Sequence, residues 1–258
     1  MSPVLLTETQ ARSILKPMTN LLAALMILVG CTFANAQGVS DPPLVESVKA
    51  EDLAGLKSRL VAGADLSAKD QYGWTAAMWA AGHADAAMLK ALLDAGANPA
   101  PKEAPDFSPI VEAAKGGRAA NITLLAAKGH DCSAKDAAGV PALAYAATVS
   151  TPAVSALLGC KAKVNDRDAN GLTALIRAAQ LGRGAVVRQL LAAGAKINLK
   201  DKFGYSALMW AAHSGWTDTV KILIASKADS TLIGAEGLTA RELALKRGHP
   251  GTANEIPR

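Results

Sequence analysis

The sequence predicts an all-α solenoid of stacked β-turn/helix–turn–helix units, and three observations carry that prediction. The first is a period. A Thr, Ser or Pro recurs at Thr75, Ser108, Pro141, Thr173, Ser206 and Thr239, in steps of 33, 33, 32, 33 and 33 residues. Self-similarity at such a period marks a repeat array. The second is a turn glycine at Gly73, Gly139, Gly171, Gly204 and Gly237, with Asp106 at the corresponding place in the second unit. Glycine supplies the positive φ that such a turn needs. The third is the pattern within a unit, clearest from Asp201 to Ile233. Lys202-Phe203-Gly204-Tyr205 reads as a turn. Ser206 then precedes Ala207 to Ala212, good helix formers that a serine can cap. Ser214-Gly215 breaks this helix, and Thr217 to Ile224 carries Val220, Leu223 and Ile224 at helical spacing. Neither helix is long enough to be stable alone in water, so each unit needs neighbours.

The repeated residues resemble the ankyrin repeat. That family runs from an acid and a turn glycine through Thr-Pro-Leu-His, two alanines and Gly-His to a leucine-rich helix ending Gly-Ala-Asp-Val-Asn. Thr75-Ala76-Ala77-Met78-Trp79-Ala80-Ala81 and Gly171-Leu172-Thr173-Ala174-Leu175 are similar to the first part. Leu92-Leu93-Asp94-Ala95-Gly96-Ala97-Asn98 and Leu190-Leu191-Ala192-Ala193-Gly194-Ala195 are similar to the second. The resemblance covers roughly Leu44 to His249. It implies an ankyrin repeat solenoid whose turn tips and first-helix ends line one concave face. Two departures stand out. Lys161 and Lys227 occupy the place of the glycine that ends the second helix in αL, at about 1 kcal/mol each. Unit three is one residue short between its helices, near Thr148 to Pro152.

Taken in order, residues 1–36 read as a secretory signal peptide. Arg12 and Lys16 precede the apolar run Leu21 to Gly30, and Ala34-Asn35-Ala36 offers the small residues of a cleavage site. The apolar run is too short to span a bilayer. Cleavage after Ala36 leaves Gln37 first. Leu28-Val29-Gly30-Cys31 also resembles a bacterial lipobox, which would make Cys31 a lipidated N-terminus; the soluble product is favoured over it. Residues 37–43 form a linker. The repeat domain spans 44–258: an N-terminal cap repeat at 44–69, full repeats at 70–102, 103–135, 136–167, 168–200 and 201–233, and a C-terminal cap at 234–258. Charged residues such as Glu46, Lys49, Lys57 and Arg59 suit a cap with one solvated side. In the last unit Gly248-His249 closes the first helix, and Pro250 argues against a full second one.

Composition excludes several classes. The chain is half hydrophobic yet only 4% aromatic, with a formal charge of +5. Arg12, Lys16 and Glu8 lie in the first 36 residues, so the rest carries +4, from 25 basic and 21 acidic residues. That is too mild for nucleic acid, and no basic stripe with interleaved aromatics appears. His83, His130, His213 and His249 fall in separate units without metal-ligand spacing. An acid opens each full unit at Asp70, Glu103, Asp136, Asp168 and Asp201. Stacked layers hold these about 10 Å apart, too far for most acid/base pairs. Each follows a cation (Lys69, Lys102, Lys135, Arg167, Lys200), so a solvated, charge-balanced row is expected. No enzyme, cofactor or metal is expected. Cys132 and Cys160 fall in adjacent layers, where two small buried thiols are favoured over a disulfide.

Aromatic placement rises above this background. The turn tips carry Tyr72 and Trp74 in unit one, Phe107 in unit two, and Phe203 and Tyr205 in unit five. Exposed aromatics along a groove read as binding anchors; the competing reading is that each ring covers its neighbour's tip. Trp79, Glu112, Tyr145, Arg177, Trp210 and Leu243 recur four residues after the Thr position. There the tryptophans are expected in the core, and Glu112 and Arg177 at the groove rim. The partner-binding residues expected are Tyr72, Trp74, His83, Phe107, Phe203, Tyr205 and His213. The resemblance implies a non-catalytic protein-binding module; with the leader of residues 1–36, the expectation is an exported, monomeric adaptor that binds another envelope protein through its concave face. Membrane contact is expected only if Cys31 is lipidated. A secreted effector binding a host protein, and a structural or stress-related envelope component, are the alternatives.

Overall fold

The computed structural model describes residues 40–102, 104 and 107–257. The expected signal peptide with Cys31, and the turn residues Glu103 and Asp106, lie outside the described residues. Among the described residues fourteen helices follow as seven pairs. They are α1 (Pro43–Lys49) with α2 (Leu53–Val61), α3 (Ala76–His83) with α4 (Ala86–Asp94), α5 (Pro109–Lys115) with α6 (Ala119–Ala127) and α7 (Ala142–Val149) with α8 (Thr151–Gly159). Then come α9 (Ala174–Gln180) with α10 (Gly184–Ala192), α11 (Ala207–His213) with α12 (Thr217–Ala225) and α13 (Ala240–Lys246) with α14 (Pro250–Asn254). Each first helix packs on the first helices before and after it, and each second helix does the same. Contacts between neighbours alone build the solenoid.

The recurring hydroxyls cap the first helices. Thr75, Ser108, Thr173, Ser206 and Thr239 each accept the amide of the residue three places on. Each cap contributes about 1 kcal/mol. Pro141 cannot cap in this way, and α7 has no side-chain cap. The first helices owe their close approach to small residues: Ala77, Ala80, Ala113, Ala146, Ala178 and Ala211 are fully buried. The second helices supply the bulk, with Leu89, Leu92, Ile122, Leu125, Leu157, Leu190 and Leu223 all at 0% exposure. Leu93 and Leu191, beside two of these, are only half-buried, because they lie off the inward stripe of helices with one solvated face.

The missing residue of unit three has a local answer. Ser150 is both the C-cap of α7 and the N-cap of α8, where its hydroxyl accepts the Ala153 amide. Lys161 and Lys227 both sit at φ 65°, the left-handed conformation expected of them. Their amides and those of Ala162 and Ala228 close the ends of α8 and α12. At the C-terminus a second helix does form, but of five residues. Pro250 begins α14, where its missing N–H and preset φ are tolerated. Arg241 donates to the carbonyls of Ala253 and Ile256 and holds this end down.

One expectation is overturned. Cys132 and Cys160 form a disulfide rather than two free thiols, with their Cα atoms 6.1 Å apart. Their positions within the repeat are not equivalent. Stacking nonetheless brings the connector after α6 beside the end of α8, within the span a disulfide can bridge.

Candidate protein-binding face

The acids that open the units are not a solvated row. Asp70, Asp168 and Asp201 are buried, and Asp136 is half-buried. In each, Oδ1 accepts the amides two and four residues on: Tyr72 and Trp74, Ala138 and Val140, Asn170 and Leu172, Phe203 and Tyr205. Oδ2 accepts a side chain nine residues on. The donors are the indoles of Trp79 and Trp210 at 2.8 Å, the Tyr145 hydroxyl at 2.6 Å and the Arg177 guanidinium. Each carboxylate therefore ties its turn to the first helix. The preceding cations do not balance these acids. Lys135 and Lys200 instead reach the carbonyls of Arg167 and Ile233 in the next unit, each at 3.0 Å. Burial pushes the Asp70 carboxyl up. Bonds from the Trp74 amide, the Trp79 indole, Lys49 and the Tyr72 amide outweigh it and hold the group below the ordinary carboxylate range.

The indole–carboxylate bonds set the aromatic rings on the first helices. Trp79 and Trp210 are half-buried, not core. The structure brings Trp79, His83 and Phe107 together around Trp74. Trp74 lies with ring centroids 5.0 Å from Trp79, 5.1 Å from Phe107 and 6.2 Å from His83. The Lys49 ammonium stands 4.6 Å from the Trp79 ring centroid and 5.9 Å from that of Tyr72. Tyr72 is 68% exposed. In unit five His213 lies edge-on to Trp210, and Phe203 is exposed. Burial holds both His83 and His213 below their ordinary range, so neutral rings face the solvent near neutral pH.

Tyr205 does not present the expected exposed anchor. It is 9% exposed, lies against Trp210, and donates its hydroxyl to Glu236 of the next unit at 2.6 Å. Here the ring covers its neighbour's tip, because Gly234 leaves room for it. The aromatic tips of units one and five are thus unequal, and that of unit one borders a groove. That groove, of about 650 Å³, runs between the turn tips of units one to three. Met78 and Val111 line it with Trp74 and Phe107, Tyr72 and the exposed Ala137 and Ala138 belong to the tips, and Glu112 and Lys115 come from α5. Lys115 binds Glu112 at 2.8 Å and stands 5.1 Å from the Tyr145 ring centroid. Glu112 reaches the rim as expected, whereas Arg177 is spent on Asp168. Lys49, Lys115, Ala137 and Ala138 were not legible as site residues. Their types are ordinary, and only the stacking of the cap repeat on units one to three assembles them.

A second set of contacts, at the opposite end of the helices, links the layers. Arg118, Arg183 and Trp216, which begin α6, α10 and α12, donate to the carbonyls of His83, of Thr148 and Val149, and of Gln180. These close the last turns of α3, α7 and α9, whose carbonyls lack intrahelical partners. Buried Asn121 similarly donates to Ala80, Ala81 and Ala84. Among the described residues no cluster of three or more His, Cys, Asp or Glu forms a metal site, and no helix is long and apolar enough to cross a membrane.

The family follows from comparison. A family model described as ankyrin repeats (3 copies) matches residues 44–136, 110–201 and 186–256. The matches together cover most of the chain, and it belongs to the ankyrin repeat family. Ankyrin repeats are in general protein–protein interaction modules and typically non-catalytic. No curated protein matches the chain.

Proposed function

We propose that this chain is an exported, non-catalytic adaptor that binds another envelope protein at the groove of units one to three. The observation that carries the reading is that groove, with Trp74 and Phe107 in its wall and exposed Tyr72 at its rim. A volume of this size accepts a few side chains of a protein surface. Aromatic anchors around it would carry much of the affinity, within an interface burying on the order of 800 Å² on this side. Export is supported by Leu21 to Gly30 and Ala34-Asn35-Ala36, and by a disulfide that suits an oxidising compartment.

Ala138→Arg tests the site. It fills the groove from an exposed tip and removes no packing. Crosslinked pull-down from native envelope should recover a stoichiometric protein with the wild type and lose it with the variant, at unchanged thermal stability. A partner retained equally by both would place binding elsewhere. Intact mass of the native protein checks export: the chain should begin at Gln37, or at an acylated Cys31, and an uncleaved cytosolic chain would refute it.

A further inference from the structure

Charge is unevenly spread along the solenoid. Residues 160–202 hold nine Lys and Arg against three Asp, a formal +6 in a chain whose total is +5. Six of these cations, Lys161, Lys163, Arg167, Lys196, Lys200 and Lys202, lie on two successive connectors between one unit's second helix and the next unit's first. The connectors run against each other. The Lys196 amide donates to Asn165 Oδ1 at 2.8 Å, Asn165 Nδ2 to the Gly194 carbonyl at 3.3 Å, and the Lys202 amide to the Asn170 carbonyl at 2.9 Å. The six cations therefore share one edge. All are exposed except Lys200, which is half-buried. The three acids of these two connectors are already engaged, and Asp229 of the following connector accepts from the Thr231 amide and hydroxyl. Asp168 and Asp201 are buried in their turns, bonded to Arg177 and Trp210, and Asp166 is half-buried with Lys135 3.7 Å away. Beside the cations stand two large apolar side chains: Phe203 next to Lys202, 54% exposed, and Ile233 on the following connector, 57% exposed.

We propose that this edge docks on an anionic lipid membrane. Charged heads on long, mobile stems need no fixed partner geometry, and a leaflet of anionic headgroups supplies diffuse negative charge. Phe203 and Ile233 project where the headgroup and acyl regions meet and would bury there. An acidic protein would have to match five exposed heads one by one and offer pockets for both apolar side chains, so the lipid surface is favoured. The edge is separate from the groove of units one to three, and it departs from the expectation that membrane contact needs a lipidated Cys31.

The test compares full-length wild type with Lys163→Gln/Lys196→Gln/Lys202→Gln, each sedimented with vesicles of phosphatidylcholine alone and of phosphatidylcholine with phosphatidylglycerol in equal parts. The N-terminal apolar run is common to both proteins, so the readout is the ratio of partition between the two vesicle types. Each cation near an anionic leaflet is worth about a fivefold change. The triple variant should therefore lose at least about tenfold of the wild-type preference, and high salt should abolish that preference. The corresponding triple Arg variant should keep it, and Phe203→Ala should lower partition into both vesicles. The replaced lysines are exposed, so circular dichroism and melting temperature should not move; should the triple variant fail to fold, Lys196→Gln alone carries the test, at about fivefold. An unchanged ratio in the Gln variant overturns the proposal. So does retention of the wild type on immobilised poly-glutamate without any lipid preference, which would make the edge a protein-docking surface.

Discussion

At the residue scale, the carboxylate that opens each unit does the most connecting. Asp201 accepts two turn amides and the Trp210 indole while almost excluded from water. Asp201→Ala leaves those donors unpaired and should lower stability by about 2–4 kcal/mol, read from the urea midpoint; an unchanged midpoint would show the turn holding by itself. The same chemistry sets a pH dependence. Asp70 has a folded value below its unfolded one. Its contribution is thus complete above the unfolded value and lost as pH falls through the folded one. Glu236 follows the same sign. Lys246 and Tyr205 hold its carboxyl at about 2, against an ordinary 4.5. Tyr205→Phe removes one of the two bonds and should raise that titration toward its ordinary value, as followed by carbon-detected NMR. No change would mean that Lys246 alone holds the charge.

At the element scale, stability comes from burying short helices against their neighbours rather than from the helices themselves. Leu190 is fully buried on α10. Leu190→Ala should cost about 2–5 kcal/mol, the spread depending on how far the adjacent layers close the gap. A change below 1 kcal/mol, on that scale, would argue against the layer packing. The ends of α8 and α12 carry the opposite opportunity. Lys161 and Lys227 hold a left-handed conformation that a side chain resists. Replacing either with Gly should stabilise by about 1 kcal/mol at most, offset in part by the freer unfolded chain. A loss of stability would mean that the lysine stems contribute packing that outweighs the strain.

At the scale of the whole molecule, the array is a chain of nearest-neighbour interfaces, and one of them is covalent. The Cys132–Cys160 bond joins the connector after α6 to the end of α8. It should therefore strengthen the interface of units two and three and leave the terminal units unchanged. Cys132→Ser/Cys160→Ser should lower stability by about 2–4 kcal/mol. Hydrogen exchange should quicken mainly in α6 and α8, because coupling fades beyond adjacent repeats. Two free thiols in the native oxidised protein would refute the bond. The groove takes Ala137 and Ala138 from the turn that follows Cys132.

Period, turn glycines, capping hydroxyls and alternating helices were all legible in the sequence, because each is a local rule repeated at a fixed step. That is why Gly204, Ser206 and Lys227 could be given their conformations from neighbouring residues alone. The nine-residue link from acid to first helix was also written there. Asp70, Asp136, Asp168 and Asp201 are each followed at that distance by a donor, whereas the last unit has Gly234 with Leu243. Its meaning, and the burial of the acids, became visible only once the turn folded back on its helix. Between layers local rules fall silent. Tyr205 and Phe203 are near neighbours at one tip, yet one is buried and one exposed, because Gly234 and Glu236 of the next unit accept the first and nothing comparable covers the second. The cysteines were weighed as free thiols because their spacing does not encode their distance. A repeat sequence determines its unit and its register; which side chains of successive units touch, and so where the groove, the disulfide and the charged edge fall, is decided only by the stacking that brings residues some thirty positions apart into contact.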